Sequence, residues 1–242
     1  DILMLSKMQG DLAVGFYSAA YKLTEPLLFL PSALTSTLMP VMASQFERSK
    51  DKLEYTYNLG TKYIFMSMLP ITIGGFLLSD EIINFIYKQD FMGSCFVFKI
   101  LIATIIFNSL NCIQTALLVS ANKQQLNNLS VTVSAVLNIV LNLLLIPKYS
   151  YTGAGVATLI SVICLYLLGF YFIYNSFAIQ PLNYELVKSI LASIGMGILV
   201  TKINLHLVYL VLFGGVAYVI LIFTLNGFNK TDTEILRKLK ES

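Results

Sequence analysis

Residues Val14–Phe46, VGFYSAAYKLTEPLLFLPSALTSTLMPVMASQF, form a long apolar run with Lys22 and Glu25 near its middle and prolines at 26, 31 and 40. On a helix, Ser18, Lys22, Glu25, Ser32 and Ser36 fall at offsets 0, 4, 7, 14 and 18, close to one face. Leu, Phe, Ala and Val fill the other faces. A lysine deep in a segment of hydrocarbon length costs about 2.5–3.5 kcal/mol on insertion scales, so it faces a bundle interior or a wet cavity. The segment reads as a cavity wall, with Ser18, Lys22 and Glu25 as candidate substrate contacts. A structural Lys22–Glu25 ion pair at i, i+3 is the alternative. If Glu25 only partly offsets Lys22, the site favours an anion such as a phosphate.

Composition agrees with a membrane setting. Of 242 residues, 57% are hydrophobic and only 12% charged, against the roughly 25% charged of a soluble domain. The net charge of +3 is spread thinly, which argues against nucleic acid as a partner. The expected class is an all-α polytopic membrane protein. No signal peptide or basic N-region opens the chain, and Asp1–Leu5 reads as the end of a spanning helix, so the expectation is a C-terminal fragment. Cys95, Cys112 and Cys164 lie in or beside apolar runs without CxxC spacing and read as small buried hydrophobes.

Outward from the first segment, a polar turn is expected at Ser6–Asp11, and a dense charge run at Glu47–Glu54. Further spans are expected at Tyr57–Leu78, Phe96–Ser120, Leu126–Ile146 (closed by Pro147), Tyr151–Tyr174, Leu186–Thr201 and Leu205–Leu225. Ser79–Ser94 reads as a loop holding one amphipathic turn, Ile82–Tyr87. The sum is seven full spans plus a stub. Residues 1–175 would form one transport lobe, 176–225 an additional helix pair, and 226–242 a polar tail. Arg48, Lys50, Lys52, Lys123 and the tail's Lys230, Arg237, Lys238 and Lys240 fall on one side if every span crosses once. The positive-inside bias makes that side, and the C-terminus, cytoplasmic.

Polar stripes mark the spans. Ser134, Asn138 and Asn142 form an i, i+4, i+8 row, suited to interhelical hydrogen bonds or to holding a cation or a sugar hydroxyl. Asn108, Asn111 and Thr115 form a second stripe. Gly153, Ala154, Gly155 and Ala157 permit close helix packing. His206 reads as interfacial. No HExxH, GxSxG, Walker loop or paired-carboxylate pattern occurs, so the chain reads as a mover of molecules and not an enzyme.

The runs Asp1–Leu5, Val14–Glu25, Leu30-Pro-Ser-Ala-Leu34 and Leu38-Met-Pro40 resemble polysaccharide repeat-unit flippases of the Wzx type. These belong to the MOP superfamily, with the lipid II flippases and the MATE exporters. Ser79-Asp-Glu-Ile-Ile83 adds to the likeness, as does Asn138…Asn142…Pro147 followed by Gly153-Ala-Gly-Val-Ala-Thr158. The resemblance covers about Asp1 to Thr158. It implies two six-helix lobes working by alternating access, often with two extra C-terminal helices. This chain would be the second lobe plus that pair, lacking the N-terminal lobe.

The resemblance further implies that Lys22 stands where lipid II flippases carry a cavity-lining cation, an arginine there. Ser18, Glu25, Asn108 and Asn111 join it as expected substrate contacts. Some members bind sodium in this lobe, and by spacing the ligands here would be Asp1, Asn138, Asn142, the Ala154 carbonyl and Thr158. Asn142 replaces a carboxylate of that pattern. No other cofactor is expected. The implied function is movement of undecaprenyl-diphosphate-linked oligosaccharides across the inner membrane for O-antigen or capsule synthesis. Membrane lipids, a polysaccharide polymerase and glycosyltransferases would be partners. The alternatives are a MATE-like cation or drug antiporter, which predicts an acidic cavity, and a non-transporting scaffold of an envelope-synthesis complex.

Overall fold

The computed structural model describes residues 1–179, 184–203 and 205–227. Among these, every regular element is helical. Helix α1 (Ile2–Gln9) extends the expected stub, and the turn expected at Ser6–Asp11 contracts to Gly10, at φ 80°, a conformation glycine adopts without a Cβ clash. Two helices, α2 (Asp11–Thr24) and α3 (Phe29–Arg48), replace the single helix expected over Val14–Phe46. One 3-10 turn, Glu25–Leu28, joins them into a 38-residue rod. Pro26 is the cause, because it lacks an N–H and its ring crowds the carbonyl of Lys22. Four residues at 3.0 rather than 3.6 per turn rotate α3 by roughly 80° relative to α2. On that count Ser32 and Ser36 come round to roughly 40° and 80° from Ser18, against roughly 40° for Lys22, so they stay near the face that carries Lys22.

Helix α4 (Lys50–Leu77) starts at Ser49, whose hydroxyl accepts from the Lys52 N–H at 3.4 Å. It meets α5 (Ser79–Tyr87) at a 75° bend, so the loop expected over Ser79–Ser94 holds a full helix in place of one turn. Asp80 and Glu81 in its first turn suit the positive end of the helix dipole. Helix α6 (Ser94–Ser120) is succeeded by α7 (Gln124–Phe177), 54 residues broken at Ser150, where φ is 52° and ψ −135°. The helix runs through Pro147, so the end expected there lies three residues later. At 1.5 Å per residue α7 is far too long for one crossing of a roughly 30 Å core, and its halves supply two of the expected spans.

Helices α8 (Tyr184–Lys202) and α9 (Leu207–Thr224) complete the described chain. Four described segments are long and apolar enough to cross a membrane, or five if α4 and α5 form one bent span, with the two halves of α7 counted together. The span expected at Leu186–Thr201 falls on α8, which is outside that group. Most of the expected tail, with Lys230, Arg237, Lys238 and Lys240, lies outside the described residues.

Helix α6 is the hub, with α2, α3, α4 and α7 packed around it. Val97, Leu101, Ile105, Ile113 and Leu117 are buried on several of its faces, as expected of a helix apolar all round. The small residues of α7 work as expected: a Cβ on Gly155 would stand 2.9 Å from Val97 Cγ2. A second cluster joins α8 and α9 to α4 through Met66, Ala192, Met196 and Tyr218. The Tyr218 hydroxyl donates to the Met66 carbonyl at 2.7 Å. His206 sits at the start of α9, edge-on to Phe85 at 5.7 Å.

Candidate functional site

The start of α1 and the two halves of α7 bring five separated residues together. Asp1 leads into α1, Asn138 and Asn142 stand one turn apart before the α7 break, and Ala154 and Thr158 one turn apart after it. Asn142 is 0% exposed, and its Nδ2 donates to Asp1 Oδ1 at 2.6 Å and to Asn138 Oδ1 at 2.9 Å. Thr158 Oγ1 donates to Asp1 Oδ2 at 2.8 Å and lies 2.9 Å from the Ala154 carbonyl oxygen. Asn142 Oδ1 is buried with no hydrogen-bond partner among the described residues. The cluster thus gathers one carboxylate and several neutral oxygens, a donor set suited to a hard cation of low charge. No group of three His, Cys, Asp or Glu gathers among the described residues.

The sequence reading missed Tyr17 here. Its buried ring sends the hydroxyl to Asp1 Oδ2 at 3.0 Å and to within 3.3 Å of Thr158 Oγ1. Its place one position before Ser18 was the available signal, but an aromatic residue in an apolar helix reads as packing.

Lys22 and Glu25 are exposed and Ser18 half-buried. No ion pair joins Lys22 to Glu25 among the described residues. The Glu25 carboxylate instead accepts from the Tyr21 hydroxyl at 3.5 Å. Lys22 therefore presents its charge outward. The sequence reading also passed over Lys62 on α4, which is 3% exposed with its ammonium 6.0 Å from the Tyr63 ring centroid. A lysine one turn into the span expected at Tyr57–Leu78 was a legible signal.

The second expected stripe faces α3. Asn108, Asn111 and Thr115 line a cleft of about 480 Å³ whose other wall carries Ser32, Thr35 and Ser36. It is separate from the Asp1 cluster. A larger cavity, about 580 Å³ and almost wholly apolar, lies between α8–α9 and the main bundle. Leu23 and Leu27 of the first rod, Pro70 and Gly74 of α4, and Gly214 and Gly215 of α9 are among its walls.

The solved structure titled "Lipid II flippase MurJ, inward closed conformation" superposes with a TM-score of 0.71, covering 93% of this chain and 52% of that one at 17% identity. That likeness shows the fold. The probable low-salt glycan biosynthesis flippase Agl15 of Haloferax volcanii is 29% identical over 164 residues, 66% of this chain and 34% of the relative. A putative O-antigen transporter of Shigella flexneri is 25% identical over 166 residues, 67% of this chain and 39% of that protein. The chain thus spans little more than a third of the curated relatives it matches. The profile of the family described as lipid II flippase MurJ matches residues 8–233, nearly the whole chain, which therefore belongs to the MurJ family of flippases within the MOP superfamily.

Proposed function

We propose that this chain is the second lobe, with an appended helix pair, of a transporter that flips undecaprenyl-diphosphate-linked oligosaccharides across the inner membrane. The observation that carries this reading is one helix with two chemistries. Leu23 and Leu27 line the apolar cavity, while Lys22 and Glu25 between and beside them are exposed. A ligand with a long hydrocarbon tail and an anionic head matches that pairing, and the glycan-flippase relatives support it. The diphosphate would lie near Lys22, whose compact charge gives an anion attraction without the bidentate geometry of arginine. The head group would enter from the cytoplasmic side, and rocking against an N-terminal lobe would expose it outside.

Sodium would be the coupling ion, held by Asp1, Asn138, Asn142, Ala154 and Thr158. The unpartnered Asn142 oxygen supports this, since a bound cation would give it a partner. Its chemistry would be electrostatic: it would neutralise Asp1 and tie α1 to both halves of α7.

The test is movement of a fluorescent lipid-diphosphate oligosaccharide by the full-length protein in liposomes. Lys22→Gln is expected to slow transport at least tenfold and Lys22→Arg to retain most of it, while removal of the sodium gradient slows both wild type and Lys22→Arg. Full transport by Lys22→Gln would remove Lys22 from the substrate path. Absence of transport by the folded wild type would favour a scaffold.

A further inference from the structure

We propose that the cleft between α3 and α6 is a subsite for a neutral, hydroxyl-rich sugar residue of the transported head group. The inference rests on the flippase reading and adds to it where the glycan is read and which glycans are refused. It begins from the protons of the α3 wall. Ser32 Oγ donates to the Leu28 carbonyl at 2.7 Å, Thr35 Oγ1 to that of Pro31 at 2.9 Å, and Ser36 Oγ to that of Ala33 at 2.8 Å. With their protons directed into the helix's own backbone, these oxygens offer only lone pairs to the cleft.

The α6 wall offers the complement. Asn111 is 8% exposed, and its Nδ2 has no hydrogen-bond partner among the described residues. A buried amide left so costs about 1–3 kcal/mol, a penalty that a ligand acceptor would remove. Thr115 is already engaged, donating to Asn127 Oδ1 at 2.9 Å. Met39, Ala116 and Val119 supply apolar surface between the polar walls.

A sugar hydroxyl both donates and accepts, so a pyranose can give protons to the α3 oxygens while accepting from Asn111. Its C–H face suits the apolar surface. The volume of about 480 Å³ is within the roughly 300–1,000 Å³ of small-ligand pockets. Among the described residues no charged side chain lines the cleft, so the carboxylate of an acidic sugar would be desolvated there without a partner. The diphosphate belongs elsewhere, beside Lys22.

Cys112 lines the same cleft and reports its occupancy. In the full-length protein with all other cysteines changed to serine, maleimide alkylation of Cys112 would be timed with three probes. These are undecaprenyl diphosphate, the same lipid carrying a neutral hexose, and the same lipid carrying a hexuronic acid. The neutral glycolipid is expected to slow alkylation at least tenfold and the other two to leave it near the unliganded rate. Asn111→Leu should abolish the protection, as should Ser36→Ala in part, with melting temperatures confirming folding. Equal protection by all three probes, none by the neutral glycolipid, or protection that survives Asn111→Leu would overturn the subsite. Transport measured in parallel separates the two readings: transport without protection sinks the subsite alone, and protection without transport sinks the flippase reading alone.

Discussion

Asn142 donates one of the hydrogen bonds that tie Asp1 to α7 and a second to Asn138, yet leaves its own oxygen unmatched among the described residues. Asn142→Asp would set a second carboxylate beside Asp1, and two like charges at hydrogen-bond distance need a cation between them. The variant is expected to melt several degrees below wild type in sodium-free buffer. Added sodium should raise its melting temperature more than it raises that of wild type, and potassium should do so less. An equal response of both proteins to sodium would remove Asn142 from any cation site. Asn138 and Asn142 were legible because two amides one turn apart in an apolar helix demand partners. Their meeting with Asp1 came only from the resemblance, since no local pattern links residues so distant in sequence. Tyr17 stayed hidden for a different reason, because its ring satisfies the packing pattern and only its hydroxyl departs from it.

Proline positions gave the helix breaks unevenly. Pro26 perturbs the first rod as its missing N–H requires, but the chain continues in line through a 3-10 turn. At Pro147 the helix persists and the backbone turns at Ser150. Gly153 explains the offset. A Cβ there would collide with the Leu145 carbonyl oxygen and stand 2.7 Å from its carbon. The two halves of α7 close on each other through bare backbone. Gly153→Ala is therefore expected to cost at least about 1–3 kcal/mol, because carbonyl atoms cannot swing aside as a side-chain terminus can. Ser150→Gly, at a positive φ that burdens a residue with a Cβ, should be neutral or raise stability by up to about 1 kcal/mol. Thermal melting of the two variants in one detergent checks both, and a Gly153→Ala protein as stable as wild type would contradict the close approach.

At the scale of the molecule, composition and span length announced a polytopic helical protein, and the helices stand close to where hydropathy put them. The apolar cavity beside α8 and α9 was not legible, since a void depends on how packed surfaces fail to meet. Gly215 lines it, and a Cβ there would meet nothing within 4 Å. Gly215→Phe should fold normally, because removing a helical glycine is worth up to about 1 kcal/mol and the ring has room. Its expected effect is on transport, slowed several-fold for a C55 polyprenyl substrate and little for a short-chain analogue. Equal slowing of both chain lengths would separate the cavity from the lipid tail.

The self-bonded hydroxyls of α3 also bear on how the protein is made. Ser32, Thr35, Ser36 and Thr37 each donate to a carbonyl three or four residues back, so none needs a neighbouring helix to be satisfied. A nascent segment so arranged can leave the translocon for lipid before α6 has been synthesised, with its polar cost already reduced. Asn111 has no such local partner, so α6 enters the bilayer with an open valence that only assembly, or cargo, can close.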